Sequence, residues 1–312
     1  MKKKGYSYEE IGRALNRAPS AVWNEVKRNK TKRIYHPKKA GHKAYVRRKY
    51  AKYQRMRIVE DQTLQNFVKK HLLSGQSPED IAGRLKNNHE KGLSVVSKDS
   101  IYRYIKSVYG RSIEARIKRK KRRKRKRTPS GTLDGRTFID KRPVYINTRT
   151  RIGDAEADFI LSGRDGNGIL LVVVDRKLRI VFLEPLYKVS IKAVHRKCLK
   201  IKKKYPEWKT MSTDNDLLFK KHKQLEKELG VNIYFCHPYH SWEKGTIENT
   251  NGEIRKFFPK GGDVSKRSRY FFKKIEKTIN NRFMKCLNYQ TPSEASKKSR
   301  EKKKSRRNRG GE

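Results

Sequence analysis

Acidic residues are scarce in this chain of 312: 31 Asp and Glu stand against 82 Lys and Arg, a formal net charge of +51. A surface so short of carboxylates repels other basic surfaces and attracts phosphates, which points to nucleic acid. Long apolar runs are also missing. The longest aliphatic stretch, 169–174, is far too short to span a bilayer. The opening Met1-Lys2-Lys3-Lys4-Gly5-Tyr6 has no apolar segment behind it, so no signal peptide is expected. Cysteines number three, Cys198, Cys236 and Cys286, odd and far apart. That argues against a disulfide framework and for a reducing compartment. No Cys-x-x-Cys or paired Cys/His spacing occurs, so no structural zinc is expected. Hydrophobic content is 34%, low for one globule, and the length leaves room for two or three small domains with linker or tail.

What is present begins with paired short helices. Ile11 and Leu15, then Val22 and Val26, are four apart and give one apolar stripe each. Asn16-Arg17-Ala18-Pro19 reads as the turn between them, with Pro19 first in the second helix. This helix-turn-helix pattern would expose Ser20, Trp23, Asn24 and Lys27; an ordinary helical hairpin fits equally well, and the following basic residues tilt the reading toward DNA. The pattern recurs at Ser77-Pro78-Glu79-Asp80, a capped start with acids in the first turn. Ser97 caps a partner helix carrying Ile101 and Ile105, which would expose Lys98, Ser100 and Arg103. Between the two units, residues 45–53 are basic and Tyr-rich, and their tyrosines are read as packing groups. Residues 118–127 are ten consecutive basic residues, expected to be disordered when free and to track the DNA backbone. The basic tail from 296 to 312 receives the same reading.

From residue 154 the pattern turns mixed α/β. Strands are expected over 154–161, 169–175, 179–186, 211–214 and 231–236, and helices over 190–204 and 217–229. A loop over 237–244 leads into a helix holding Glu248. Three strands followed by alternating helix and strand is the order of an RNase H-like domain. Period-two geometry points Asp154, Glu156 and Asp158 the same way. Asp158 is preferred among them because the apolar residues after it suggest burial. Asp214 ends a strand, where α/β sheets place ligands. A few carboxylates on ordered elements of a basic chain suit divalent metal at a phosphodiester, although the residues alone leave three unrelated surface acids equally open.

The longer motifs carry a resemblance. Gly153-Asp154-Ala155-Glu156-Ala157-Asp158-Phe159, Thr213-Asp214-Asn215-Asp216 and the block running from Pro238-Tyr239-His240-Ser241-Trp242 through Gly245-Thr246-Ile247-Glu248-Asn249-Thr250-Asn251-Gly252 to Ile254-Arg255 stand in order. Phe257-Phe258-Pro259-Lys260-Gly261, Asn280-Asn281-Arg282 and Tyr289-Gln290-Thr291-Pro292 follow, and 33 residues separate Asp214 from Glu248. From Tyr6 to Ala295 the chain resembles transposases of the insertion-sequence-thirty family of bacterial DDE enzymes. It departs from the family pattern where Ala157 replaces a Gly, where Asp154-Ala155 replaces His-Trp, where His240-Ser241 replaces Ser-Pro, and where Asp216 replaces a Gly that would allow positive φ.

The resemblance implies an α/β RNase H-like catalytic core, a mixed five-stranded sheet with helices, preceded by two all-α helix-turn-helix DNA-binding units. The expected divisions are 1–60 (one helix short of the family's first unit), 61–115, a basic linker over 116–145, the core over 146–296 and a tail over 297–312. It implies Asp158, Asp214 and Glu248 as catalytic metal ligands for two Mg²⁺ or Mn²⁺ ions, Asp158 bridging both. It implies cleavage at element ends and strand transfer into target DNA by a homo-oligomer in the bacterial cytoplasm, at the nucleoid and away from membrane. Asn249 and Asn251 would orient Glu248 or a phosphate, and Lys244 and Arg255 would hold DNA backbone. His237 and His240 are read as structural. Two other functions fit the same composition: a catalytically silent, transposase-derived repressor or nucleoid factor, and a nuclease of the same fold.

Overall fold

Side-chain caps set the helix starts in the computed structural model, which describes residues 5–31, 34–51, 56–117, 135–164, 166–238 and 240–309. The basic run 118–127 lies outside the described residues. Ser7 accepts from Glu10 N while Glu10 reaches back to Ser7 N, a capping box that opens α1 (Tyr8–Leu15). Asn16 ends it in the left-handed conformation, and Pro19 opens α2 (Pro19–Asn29), as the sequence predicts. The turn is tight because position 12 is glycine: a Cβ there would lie 2.6 Å from Arg17 O. A third helix, α3 (Pro37–Ala51), is tied to α2 through Asn29, which donates to Glu25 at 2.7 Å and accepts from Arg47 at 2.6 Å. Next come α4 (Arg57–Glu60), α5 (Gln62–Leu73), α6 (Pro78–Lys86), α7 (Lys98–Lys106) and α8 (Arg111–Ile117). Ile58, Leu64, Val68, Leu72, Ile101 and Ile113 are buried, and the Ile101/Ile105 stripe turns inward.

The chain divides into two compact units, residues 1–73 with 93–119, and residues 74–92 with 120–312. The division falls inside the segment 61–115, so α6 belongs with the α/β unit and α7 does not. Side chains explain the attachment of α6. Arg84 forms a fork with Glu294 at 2.6 and 2.7 Å and also donates to Tyr289 O, and Gly83 lies against the Tyr289 ring, where a Cβ would sit 2.2 Å from Cε1.

The second unit continues with α9 (Val144–Asn147), β1 (Asp154–Leu161), β2 (Ile169–Asp175), β3 (Val181–Leu186), α10 (Ile191–Lys204), β4 (Thr210–Thr213), α11 (His222–Leu229), β5 (Asn232–Phe235), α12 (Gly245–Phe257), α13 (Arg269–Asn280) and α14 (Pro292–Arg309). The five strands form one sheet in the order β3-β2-β1-β4-β5. β1, β2 and β3 are antiparallel neighbours, while β4 pairs with β1 and β5 with β4 in parallel. That is RNase H-like topology, and each expected strand is present. The expected helix over 217–229 is interrupted, being a 3₁₀ turn over Leu217–Phe219 followed by α11. The 296–312 tail, expected as disordered, is helical as far as Arg309: Thr291 and Glu294 cap each other at the start of α14, and Arg300 pairs with Glu207.

Each face of the sheet carries its own core. Ala155, Ala157 and Phe159 of β1 pack with Val194, Cys198, Trp208 and Leu225 on one side. Ile160, with Leu170, Val172 and Val174 of β2, packs under Ile247 and Ile254 of α12 and Phe272 and Ile275 of α13 on the other. Both sheet edges are occupied. Along β3, Val181 N donates to Asn280 and Leu183 N to Glu276, and Pro185 has no N–H to offer. Along β5, Ile233 N donates to Glu226 and Phe235 N to Thr137 O. At the end of α10, Glu184 is fully buried among Lys197, Lys200, Lys204, Arg269 and Lys273. Burial opposes its charge, but the Lys204 hydrogen bond and the surrounding ammonium groups hold its carboxyl at about 2.

Candidate active site

Strand register brings Asp158 and Asp214 together. The parallel ladder pairs Asp154 with Thr210 and Glu156 with Ser212. One same-face step further, past the end of the ladder, are Asp158 on β1 and Asp214 just beyond β4. Neighbouring strands lie about 4.8 Å apart, so the register itself makes the two carboxylates neighbours at the C-terminal end of β4.

The three acids of β1 share a face, as their alternation requires, but burial separates them in the direction opposite to that expected. Asp154 and Glu156 are fully buried and committed. Asp154 pairs with Arg151 at 2.7 Å and accepts from Thr210 at 2.8 Å. Glu156 pairs with Arg176 at 3.0 Å and accepts from Ile247 N at 2.8 Å, which fixes the first turn of α12 against β1. Asp158 retains 19% of its side-chain exposure. It is available because it is the least buried of the three.

Helix α12 supplies the third side of the site. Asn251 donates to Asp158 Oδ2 at 2.7 Å. Lys244, immediately before α12, places its ammonium 3.5 Å from Asp158 Oδ1 and 3.2 Å from Asp214 Oδ2. Glu248 is exposed, one turn after Lys244 and one turn before Asn251, so it lies on the same stripe of the helix. Among the described residues the acidic triad does not close into a tight cluster of ligand atoms; the group that does is His237, His240 and Glu243.

Electrostatics follow from burial. Desolvation raises the Asp158 carboxyl above its ordinary range; Lys244 opposes the shift and Asp214 adds to it. Burial likewise disfavours the Lys244 charge, but the two aspartates outweigh it and its pKa is raised. Asp214 Oδ1 and Asn251 Oδ1 are buried without a hydrogen-bond partner. Two orphaned oxygens beside a desolvated carboxylate form a donor set that fits a hard divalent cation. Asp158, Asp214 and Glu248 would hold it.

Several expected residues are placed differently. Lys244 is buried within the acidic pair, not directed to DNA backbone, because the two carboxylates compensate its desolvation. Asn251 orients Asp158 rather than Glu248. Arg255 is half-buried and donates to Leu161 O and Pro259 O, each at 3.3 Å. Asp216 stands at φ −70°, so no left-handed conformation is needed there; its carboxylate accepts from Leu218 N at 2.9 Å and caps the 3₁₀ turn. Ala157 faces the opposite core. Arg142, buried and donating to Ser212 at 3.0 Å, and Arg136, bonded to Asn215, support the strand end from a segment whose sequence carries no such signal.

The expected DNA-facing side chains lie along two helices. Ser20, Trp23, Asn24 and Lys27 are exposed on α2, with the Lys27 ammonium 4.3 Å from the Trp23 ring centre. On α7, Lys98 and Arg103 are exposed, while Ser100 is half-buried and hydrogen-bonded within the cap to Ser97.

Comparison with known proteins gives four findings. Residues 1–29 match a family model described as a helix-turn-helix domain. The chain is 35% identical over 297 residues to the transposase for insertion sequence element IS4351 of Bacteroides fragilis, covering 92% of this chain and 89% of that one. It is 30% identical over 309 residues to transposase InsI for insertion sequence element IS30A of Escherichia coli K12, covering 92% and 78%. Among solved structures, the catalytic core domain of BIV integrase aligns with 48% of this chain and 97% of its own, at TM-score 0.39 and 17% identity.

Proposed function

The chain belongs to the IS30 family of insertion-sequence transposases, and we propose that it cuts DNA at the ends of its element and joins those ends to target DNA at the site formed by Asp158, Asp214 and Glu248. The observation that carries this reading is the register that sets Asp158 beside Asp214, with the Glu248 stripe of α12 facing them. In the first step water attacks the phosphorus and the bond to the 3′ oxygen breaks, leaving a 3′-hydroxyl and a 5′-phosphate. In the second, that hydroxyl attacks a target phosphodiester in line: a P–O bond joining element to target forms, the target's own bond from phosphorus to its 3′ oxygen breaks, and a target 3′-hydroxyl leaves. Two Mg²⁺ or Mn²⁺ ions, when bound, neutralise the phosphate and activate the attacking oxygen.

The residues of the chain prepare this chemistry. Asn251 fixes the Asp158 carboxylate, Glu156 fixes the start of α12, and Lys244 holds the two aspartates in place of a cation until one arrives. Ser20, Trp23, Asn24 and Lys27 of α2, with Lys98, Ser100 and Arg103 of α7, read element-end DNA, while the basic runs neutralise backbone. Joining two ends to one target requires more than one copy of the chain on the DNA, and the work is done in the bacterial cytoplasm at the nucleoid. Neither Ala157, which faces the other side of the sheet, nor Asp216, which caps a turn, displaces a site residue.

The test is cleavage of a labelled element-end duplex with Mg²⁺ or Mn²⁺. Asp158→Asn, Asp214→Asn and Glu248→Gln should each abolish cleavage while the end is still bound. Cleavage retained in any one of them removes that residue from the site.

A further inference from the structure

We propose that His237, His240 and Glu243 form a second cation site, selective for a nitrogen-binding transition metal of the Zn²⁺ class and separate from the acidic triad. Three ligand atoms from these side chains lie within 4.8 Å of one another. His237 Nδ1 is 3.0 Å from Glu243 Oε1, and His240 Nδ1 is 3.9 Å from the same oxygen. Atoms bound about 2.0–2.1 Å from a tetrahedral Zn²⁺ lie ~3.3 Å from each other, a value bracketed by the two distances. The remaining pair of ligand atoms lies within 4.8 Å, so closing the set takes side-chain rotation, for which His240, 43% exposed, has room.

The surroundings are those of a ligating imidazole. His237 turns Nδ1 toward Glu243 and Nε2 toward Asp140, which lies 2.8 Å away. A histidine that ligates through one nitrogen usually gives its other N–H to a carboxylate, which fixes ring orientation and raises basicity. Asp140 fills that outer position. The ring is further held by stacking on Phe138, with centroids 5.1 Å apart and planes inclined by 9°. Glu243 is anchored by its second oxygen, which accepts from His237 N at 2.9 Å. The sequence reading expects no structural zinc and takes His237 and His240 as structural; the His-x-x-His-x-x-Glu spacing and the approach of its three side chains point the other way.

Ligand chemistry separates the two sites. The acidic triad offers oxygen atoms and one amide, which suit Mg²⁺ or Mn²⁺; two imidazoles and a carboxylate suit Zn²⁺. Three protein ligands leave a fourth position for a solvent or phosphate oxygen. Glu243 directly precedes Lys244, so a metal here would pin the loop that delivers Lys244 and α12 to the aspartates, and through Asp140 would join that loop to the start of the catalytic unit.

The experiment measures Zn²⁺ binding by calorimetry, and Co²⁺ substitution by visible absorption, on the full chain carrying Asp158→Asn, Asp214→Asn and Glu248→Gln together. One equivalent should bind, with a Co²⁺ spectrum of low-coordinate nitrogen and oxygen ligation. Asp140→Asn should weaken binding about 10–100-fold, and His237→Ala or His240→Ala should weaken it at least as much. His240 is partly exposed and contributes no core packing, so its variant decides the matter if His237→Ala fails to fold. Zn²⁺ affinity unchanged in His240→Ala, or no Zn²⁺ binding by the parent chain, overturns the site. Because the triad is already disabled, neither result depends on DNA cleavage.

Discussion

Lys244 stands 3.2 Å from Asp214 with its ammonium buried, so one of the two central carboxylates is already neutralised before any metal arrives. Lys244→Met leaves that charge uncompensated. Metal-free stability should fall by about 1–3 kcal/mol, the usual cost of leaving a partly buried group without its partner. Mg²⁺ should then raise the melting temperature more in the variant than in the parent chain. Equal Mg²⁺ increments in the two proteins would show that the lysine and the cation do not share the site.

Asn251 is the donor that orients Asp158. Asn251→Ala should slow cleavage about 10–100-fold, the range for loss of a residue that positions a metal ligand, with element-end binding unchanged. A parallel loss of DNA binding would instead place Asn251 at the DNA.

Glu184 supplies a pH signature. Its folded-state carboxyl is held at about 2, below the ordinary value of about 4.3. A depressed carboxylate adds stability above the unfolded pKa and loses it as pH falls toward the folded one. Stability should therefore decline between about pH 4.3 and pH 2, and Glu184→Gln should flatten that part of the curve while lowering the neutral-pH melting temperature by roughly 5–10 °C. Thermal melts across pH in both proteins check it.

Asp216 adds a carboxylate two residues from Asp214, where burial raises its pKa and Asp214 raises it further. Asp216→Gly should speed cleavage and weaken metal affinity modestly. Asp216→Asn, which keeps the cap on Leu218, should do the same without the loss of about a few tenths of a kcal/mol that Gly at a cap brings. Slower cleavage in both variants would make Asp216 a working ligand.

DNA affinity should fall steeply with salt. Deleting residues 118–127 should flatten that slope and keep sequence preference, while Asn24→Ala or Arg103→Ala should relax preference with little change of slope. The reverse pattern in filter-binding titrations would exchange the two assignments.

Most of the catalytic unit was legible because its strands and helices carry clean periods: β1 and β2 have the expected bounds, and Asp214, expected as the last residue of a strand, falls one residue past β4. What one-dimensional patterns could not supply was register and compensation. Apolar neighbours suggested that burial selects Asp158, yet pairing with Arg151, Arg176 and backbone amides consumes the more buried Asp154 and Glu156. A lysine beside a phosphate-binding site reads as a phosphate ligand; only the approach of β1 to β4 reveals Lys244 as the counter-ion of two aspartates. In the same way, the capped start at Ser77 correctly gave α6, but its attachment to the α/β unit rests on Arg84 meeting Glu294, a pair 210 positions apart.

The occupied borders of the sheet limit how copies of this protein can meet. Every outward amide of β3 and β5 is either bonded within the chain or, at Pro185, missing. An incoming strand finds no free donors on either border, so recruitment by β-augmentation is closed off, and with it the commonest route to edge-to-edge aggregation. Any contact between copies along one DNA duplex would then run through helices, loops or the nucleic acid itself.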